Sequence, residues 1–311
     1  MANKNKKMMI GGQAVIEGVM MRSANFYAVA LRRKSGDIDI KIEPFKTVTK
    51  KFKLLAKPFL RGIVSLFEMM ILGMKTLSYS ADIYSLDLDE NAAEKERKKN
   101  EKAKKISWDI IFSIIFAFGF GILLFVLLPL WLTNVIKTFF NFANNPIIYN
   151  IIDGIMRLII FLTYVIAISF MKDIQRVFAY HGAEHMAVYT NENNDDLTIE
   201  NAKKYTTLHP RCGTNFMFIV IILGIFMISL FPIDTFMQKF LIRLIIMPLV
   251  ASISYEIIRF LGNNYETQKW ARFFFSPGLM LQKLTTNIPD DSQIEVALKA
   301  MKAVLDKEKS L

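Results

Sequence analysis

The chain has 311 residues, 53% of them hydrophobic, and carries 39 lysines and arginines against 28 aspartates and glutamates, a formal net charge of +11. That apolar share exceeds the ~45–50% of ordinary soluble domains and excludes a disordered tail, a collagen-like repeat or a small disulfide scaffold. With one cysteine, Cys212, no intramolecular disulfide can form.

The apolar residues come in long blocks separated by charge. This predicts a mainly α integral membrane protein with four transmembrane helices and a small cytoplasmic N-terminal α+β region. In chain order, residues 1–107 form that region. Lys4, Lys6 and Lys7 resemble the start of a signal peptide, but Gln13 and Glu17 interrupt the segment beyond them, so no cleavable signal is expected. The stretch from Gly11 to Arg22 is glycine-dense but lacks the Lys-Ser/Thr of a phosphate loop. It is read as a tight backbone turn, with Glu17 and Arg22 as candidates to approach a membrane-facing site. Residues 26–43 alternate in character on both sides of Lys34-Ser35-Gly36-Asp37, predicting a β-hairpin. Residues 54–84 are apolar but broken by Arg61, Glu68, Lys75 and Asp82, which suits an amphipathic helix lying on the membrane or packed on the bundle. The run EKERKKNEKAKK at 94–105 reads as a basic linker beside anionic lipid, with no nucleic-acid partner.

The membrane region is predicted over 108–258, with spans at 108–132, 147–171, 214–233 and 239–258. Asp153 and Arg157 lie i,i+4 in the second span, and Lys239, Arg243 and Glu256 mark the ends of the fourth. Of the 39 basic residues, 22 precede Trp108, one (Lys137) lies between the first two spans, five lie in 172–213 and eight follow 258. The positive-inside rule then puts both termini and the 172–213 connection in the cytoplasm of a bacterial inner membrane. In the tail, 259–311, residues 263–289 read as irregular with a turn at Pro277-Gly278, and 290–308 as a short capped helix.

All three histidines fall in the 172–213 connection. His181 and His185 are i,i+4 and so share one face of a helix, with Glu184 between them. H-x-x-E-H is the inverted form of the zinc-protease signature, in which two histidines hold the metal and the glutamate is general base. A third ligand must come from elsewhere: His209, Cys212 or Glu256. If His181, His185, His209 and Cys212 all bind, the site is closed and structural; with three ligands a position stays open for water. Arg211 and Asn215, beside His209, are candidates to stabilise developing negative charge, and Arg211 serves equally as a positive-inside anchor.

GGQAVIEGVMMR at 11–22, KPFLRGI at 57–63, HGAEH at 181–185, HPRCGTNF at 209–216, and QKLTT with the following IPDDSQIEVA at 282–297 together resemble the YqhQ-like family of bacterial membrane proteins. Its members are often labelled predicted metal-dependent enzymes. The resemblance implies an inner-membrane location and supports His181, Glu184, His185, His209 and Cys212 as motif positions, without naming the reaction. The chain departs at Met186, where a lysine is expected after HGAEH, and at Ser23-Ala24, where Gly-Pro is expected.

The function expected is therefore a metal-dependent membrane enzyme, most plausibly a hydrolase. Zn²⁺ or another divalent transition metal would serve a lipid-linked or membrane-embedded substrate, a lipid or a membrane protein. A non-catalytic scaffold with a structural metal or histidine cluster is the alternative, and a small transporter built on the intramembrane charges is a third. Four spans are few to enclose a site, which leaves room for a homo-oligomer.

Overall fold

The computed structural model describes residues 10–88, 108–140, 145–231, 235–265 and 267–311. The basic stretch at 94–105 lies outside them.

The N-terminal region is a four-stranded antiparallel meander: β1 (Gly11–Val15), β2 (Gly18–Arg22), β3 (Phe26–Arg32) and β4 (Ile38–Pro44). The hairpin expected at 26–43 is β3–β4, in register Phe26↔Pro44 to Arg32↔Ile38. The glycine-dense stretch expected to be a turn is instead a second hairpin, with only Ile16 and Glu17 as its loop and Glu17 at φ 54°. Its strands carry few of the usual strand signals because both sheet faces are covered. Val19, Met21, Ala28 and Ala30 pack toward one side, Met20, Tyr27, Val29 and Leu31 toward the other, so side chains of period 2 all read as apolar.

The helix α1 (Leu60–Leu88) covers the second face through Met69, Leu72, Tyr79 and Ile83. It also packs on the bundle, where Arg61 pairs with Glu256 and the Phe59 carbonyl accepts from the Ser252 hydroxyl. The amphipathic helix expected at 54–84 is thus a bridge between sheet and bundle.

In the bundle, α2 (Trp108–Ile122) runs through a π turn (Leu123–Leu127) into α3 (Leu128–Phe139). Pro129 has no N–H to give to the preceding turn, which accounts for the widened hydrogen bonding there. Next come α4 (Pro146–Ser169), α5 (Lys172–Glu192), α6 (Gly213–Ser229) and α7 (Phe236–Asn264). Among the described residues, three helical stretches are long and apolar enough to cross a membrane: Ile115–Phe139, Pro146–Ser169 and Phe240–Gly262. The expected span 214–233 is shorter than predicted: α6 is apolar but ends at Ser229 after 17 residues.

Two helices complete the chain. The predicted irregular stretch 263–289 is largely helical, as α8 (Lys269–Thr285), with Pro277 inside it. The Pro277-Gly278 pair breaks an isolated helix, but Gly278 here is where Asn215 presses against α8, leaving no room for a Cβ. Tertiary packing overrides the local signal. Helix α9 (Asp291–Lys309) matches the expected helix, with Asp290 and Gln293 forming a reciprocal capping box. It buries Ile294, Ala297, Leu298 and Met301 against α5 and the first sheet face.

Candidate metal centre

Helix α5 is wedged between the sheet, α9 and the 199–212 segment, which is why Ala179 to Val188 are nearly all buried although many residues of the helix are polar or charged. His181 projects from it toward Cys212 at the N-terminus of α6 and Thr285 at the C-terminus of α8, His185 toward Thr207, and Glu184 toward Gly12 of β1.

Each of the two imidazoles is fixed by a backbone carbonyl. His181 Nδ1 lies 2.8 Å from the Thr285 carbonyl oxygen and His185 Nδ1 lies 2.5 Å from that of Thr207. A carbonyl can only accept, so each ring presents an N–H at Nδ1, and in the neutral imidazole that leaves Nε2 with the lone pair a metal needs. Thr285 ends α8, so its carbonyl is one of the orphan groups of a helix end, and His181 satisfies it. His181 Nε2 is 3.2 Å from Cys212 Sγ. Nitrogen or sulfur ligand atoms of His181, His185 and Cys212 all lie within 4.8 Å of one another. The rings are 4.4 Å apart between centroids.

His185 Nε2 is buried without a hydrogen-bond partner; its nearest ionisable neighbour, Glu184 Oε2, is at 3.4 Å but not in hydrogen-bonding geometry. An orphaned buried nitrogen on a residue grouped with a second imidazole and a thiol fits a metal ion, with the Nδ1 contacts as the supporting shell such ligands need. Cys212 is the N-cap of α6, its sulfur accepting from the Thr214 N–H at 3.5 Å and hydroxyl at 3.2 Å.

Glu184 is 5% exposed. Burial pushes its carboxyl above the usual range, offset in part by His181, His209 and the Gly12 backbone N–H. Gly12, on β1, lies directly over this side chain: a Cβ there would stand 3.0 Å from Glu184 Cγ and closer still to the Met20 carbonyl. The N-terminal hairpin therefore forms the roof of the site.

Of the other sequence candidates, His209 is adjacent but outside the ligand group. Its ring centroid is 5.6 Å from that of His185, its Nδ1 accepts from the Arg211 N–H at 3.3 Å, and its Nε2 faces Glu192 at 3.4 Å. Arg211 pairs with the same Glu192. The Asn215 amide donates to the His209 and Pro210 carbonyls, locking the loop, so it is not free to donate to a substrate. Glu256 is on α7 with its carboxylate on Arg61, and does not join the cluster as the third-ligand expectation had it.

Four contributors escaped the sequence reading. Gln282 and Thr285 lie in the QKLTT motif, but nothing local ties that motif to the histidines, since Gln282 is 73 residues from His209 and the Thr207 and Thr285 contributions are backbone carbonyls. Glu192 did leave a local signal, at i+7 from His185 on the same helix face.

A family described as "Protein of unknown function (DUF1385)" matches residues 57–307. "Uncharacterized protein YqhQ" of Bacillus subtilis (strain 168) is 34% identical over 295 residues, covering 95% of this chain and 92% of that protein. No solved structure matches.

Proposed function

The chain belongs to the DUF1385 family, and from its histidine–cysteine cluster and apolar helices we propose that it is a metal-dependent integral-membrane hydrolase working at the cytoplasmic face of a bacterial inner membrane. In this reading α2–α3, α4, α6 and α7 are the four spans. Helix α6, about 25 Å long, is the shortest and starts at the site. The lysine and arginine distribution argues for a cytoplasmic N-terminal region, α5 and C-terminus.

The observation that carries the metal reading is the grouping of ligand atoms of His181, His185 and Cys212 within 4.8 Å of one another, with both Nδ1 atoms taken up by backbone carbonyls and the buried His185 Nε2 left without a hydrogen-bond partner. His181, His185 and Cys212 would hold Zn²⁺ or another divalent transition metal. Three protein ligands leave a position open, the pattern of catalytic zinc, whereas recruiting His209 would close the site. A metal there supplies Lewis acidity and a water of lowered pKa. Glu184, beside His185 and shielded from bulk water, is placed to hold the proton such a water gives up. Arg211, held by Glu192, supplies positive charge at the edge. Because the cluster sits at the head of α6, the substrate reaches it from the membrane surface, which favours a lipid-linked or membrane-embedded molecule.

The test uses the full chain reconstituted with zinc in vesicles of total bacterial lipid extract, with reaction products followed by mass spectrometry. Hydrolysis products are expected from the wild type and not from Glu184→Gln, which should keep its metal. Equal turnover by Glu184→Gln overturns the base assignment. A folded, metal-loaded and inert wild type moves the reading to a scaffold with a structural metal.

A further inference from the structure

A second cluster of charge lies away from the histidines, between α4, α6 and α7. Asp153 Oδ2 accepts from Arg157 Nε at 2.9 Å and from Arg243 Nη2 at 2.7 Å. Asp153 and Arg243 side chains are each 2% exposed and Arg157 12%. Two guanidinium groups against one carboxylate leave a formal charge of +1. The same three residues hold four buried polar atoms without a hydrogen-bond partner: Asp153 Oδ1, Arg157 Nη2, and Arg243 Nε and Nη1.

Beside the triad is a cavity of about 310 Å³. Asp153 and Arg157 stand in its wall, and the rest is almost wholly apolar, including Phe125, Phe161, Val220 and Ile221. Its α6 lining runs from Phe216 to Ile228, about 18 Å along the helix, starting one turn from Cys212.

Each feature is unfavourable alone. An uncompensated charge inside a helix bundle is costly, and a water could satisfy an orphan N–H without neutralising it. An apolar void forfeits packing that a chain would restore. One kind of molecule remedies both: a single apolar chain ending in one negative charge. The volume is at the lower end for small-molecule sites and takes roughly ten chain atoms at ~30 Å³ each, so it suits one chain and not two.

We propose that the cavity between α4 and α6 binds a single-chain anionic amphiphile drawn from the bilayer, a medium-chain carboxylate, with its head on Arg157 and its chain along Phe125, Phe161 and Val220. With it bound, two guanidiniums face two carboxylates and the formal charge is zero. The proposal rests on α4, α6 and α7 being spans, but not on the metal centre.

The test is titration of the detergent-purified full chain with dodecanoate, dodecyl phosphate, dodecanol and acetate, read by native mass spectrometry. Saturable binding of one dodecanoate per chain is expected, with dodecanol and acetate much weaker. Arg157→Gln should weaken dodecanoate by roughly 10- to 100-fold, the worth of a charge-assisted contact. It leaves a neutral Asp153–Arg243 pair, so folding should survive. Val220→Phe, which fills the cavity without touching the charges, should weaken it comparably. Dodecanol binding as well as dodecanoate, or no loss in both variants, overturns the proposal, as does saturable binding of dodecyl phosphate alone. Retention of the chain in carbonate-washed membranes reports separately on the membrane reading.

Discussion

Gln282 and His209 hold each other by two hydrogen bonds, the His209 N–H donating to Gln282 Oε1 at 2.8 Å and Gln282 Nε2 donating to the His209 carbonyl at 2.8 Å. A side chain on α8 thereby acts as a strand partner for the loop that carries Cys212. Gln282 is fully buried. Gln282→Ala leaves the His209 N–H unpaired, at about 1–3 kcal/mol, while the His209 carbonyl keeps the Asn215 amide and the Cys212 N–H. A fall in Tm and a 10- to 100-fold loss of zinc affinity are expected, since the loop no longer presents the sulfur. Thermal melts and zinc competition check this; unchanged values in both would show that the loop is positioned otherwise.

Gly12→Ala probes the roof of the site. The new methyl would meet the Met20 carbonyl and Glu184 Cγ, and the backbone partner cannot yield. Destabilisation by about 1–3 kcal/mol is expected. Gly11→Ala is the control, because its Cβ would meet open space. Equal melting of the two variants would contradict the contact.

The sheet region should respond to acid. Lys75, with Tyr27 and Lys41, holds the Glu43 carboxyl down at about 2. A lowered folded-state value means the stabilisation is complete above the unfolded value near 4.5 and is lost as pH falls from there toward 2. Glu43→Gln should cost about 0.5–1 kcal/mol at neutral pH, as for a partly exposed pair, and should flatten the loss of stability between these limits. An unaltered acid profile in the variant would show that other carboxylates govern it.

Reporter fusions test the arrangement of spans. With four spans and cytoplasmic ends, fusions at Lys51 and at the C-terminus report cytoplasmic, and a fusion after Phe139 reports the opposite side. Opposite signals from the two ends would mean an odd number of crossings.

Much of this architecture could be read from the residues, and the exceptions have physical causes. The β3–β4 hairpin, α9 with its cap at Asp290, and the long apolar helices follow from periodicity and turn chemistry that act locally. The β1–β2 hairpin did not, because Gly11, Gly12 and Gly18 resemble a loop until β3 and α5 pack on them. Helix α8 did not either, since Pro277-Gly278 reads as a turn until Asn215 fills the space beside Gly278. At the site, the i,i+4 spacing puts His181 and His185 together, and leaves His209, Cys212 and Glu256 as candidates for the third ligand. The choice between His209 and Cys212 depends on how the loop crosses α5, and that is set by Gln282, far off in the chain.

The most direct test of the metal centre is the metal content of the detergent-purified full chain, carrying a tag without histidines, beside His181→Ala and Cys212→Ser. About one zinc or other divalent transition metal per chain, lost in both variants while His209→Ala retains it, is the predicted result. A folded wild type without metal, or metal that survives both substitutions, would contradict it.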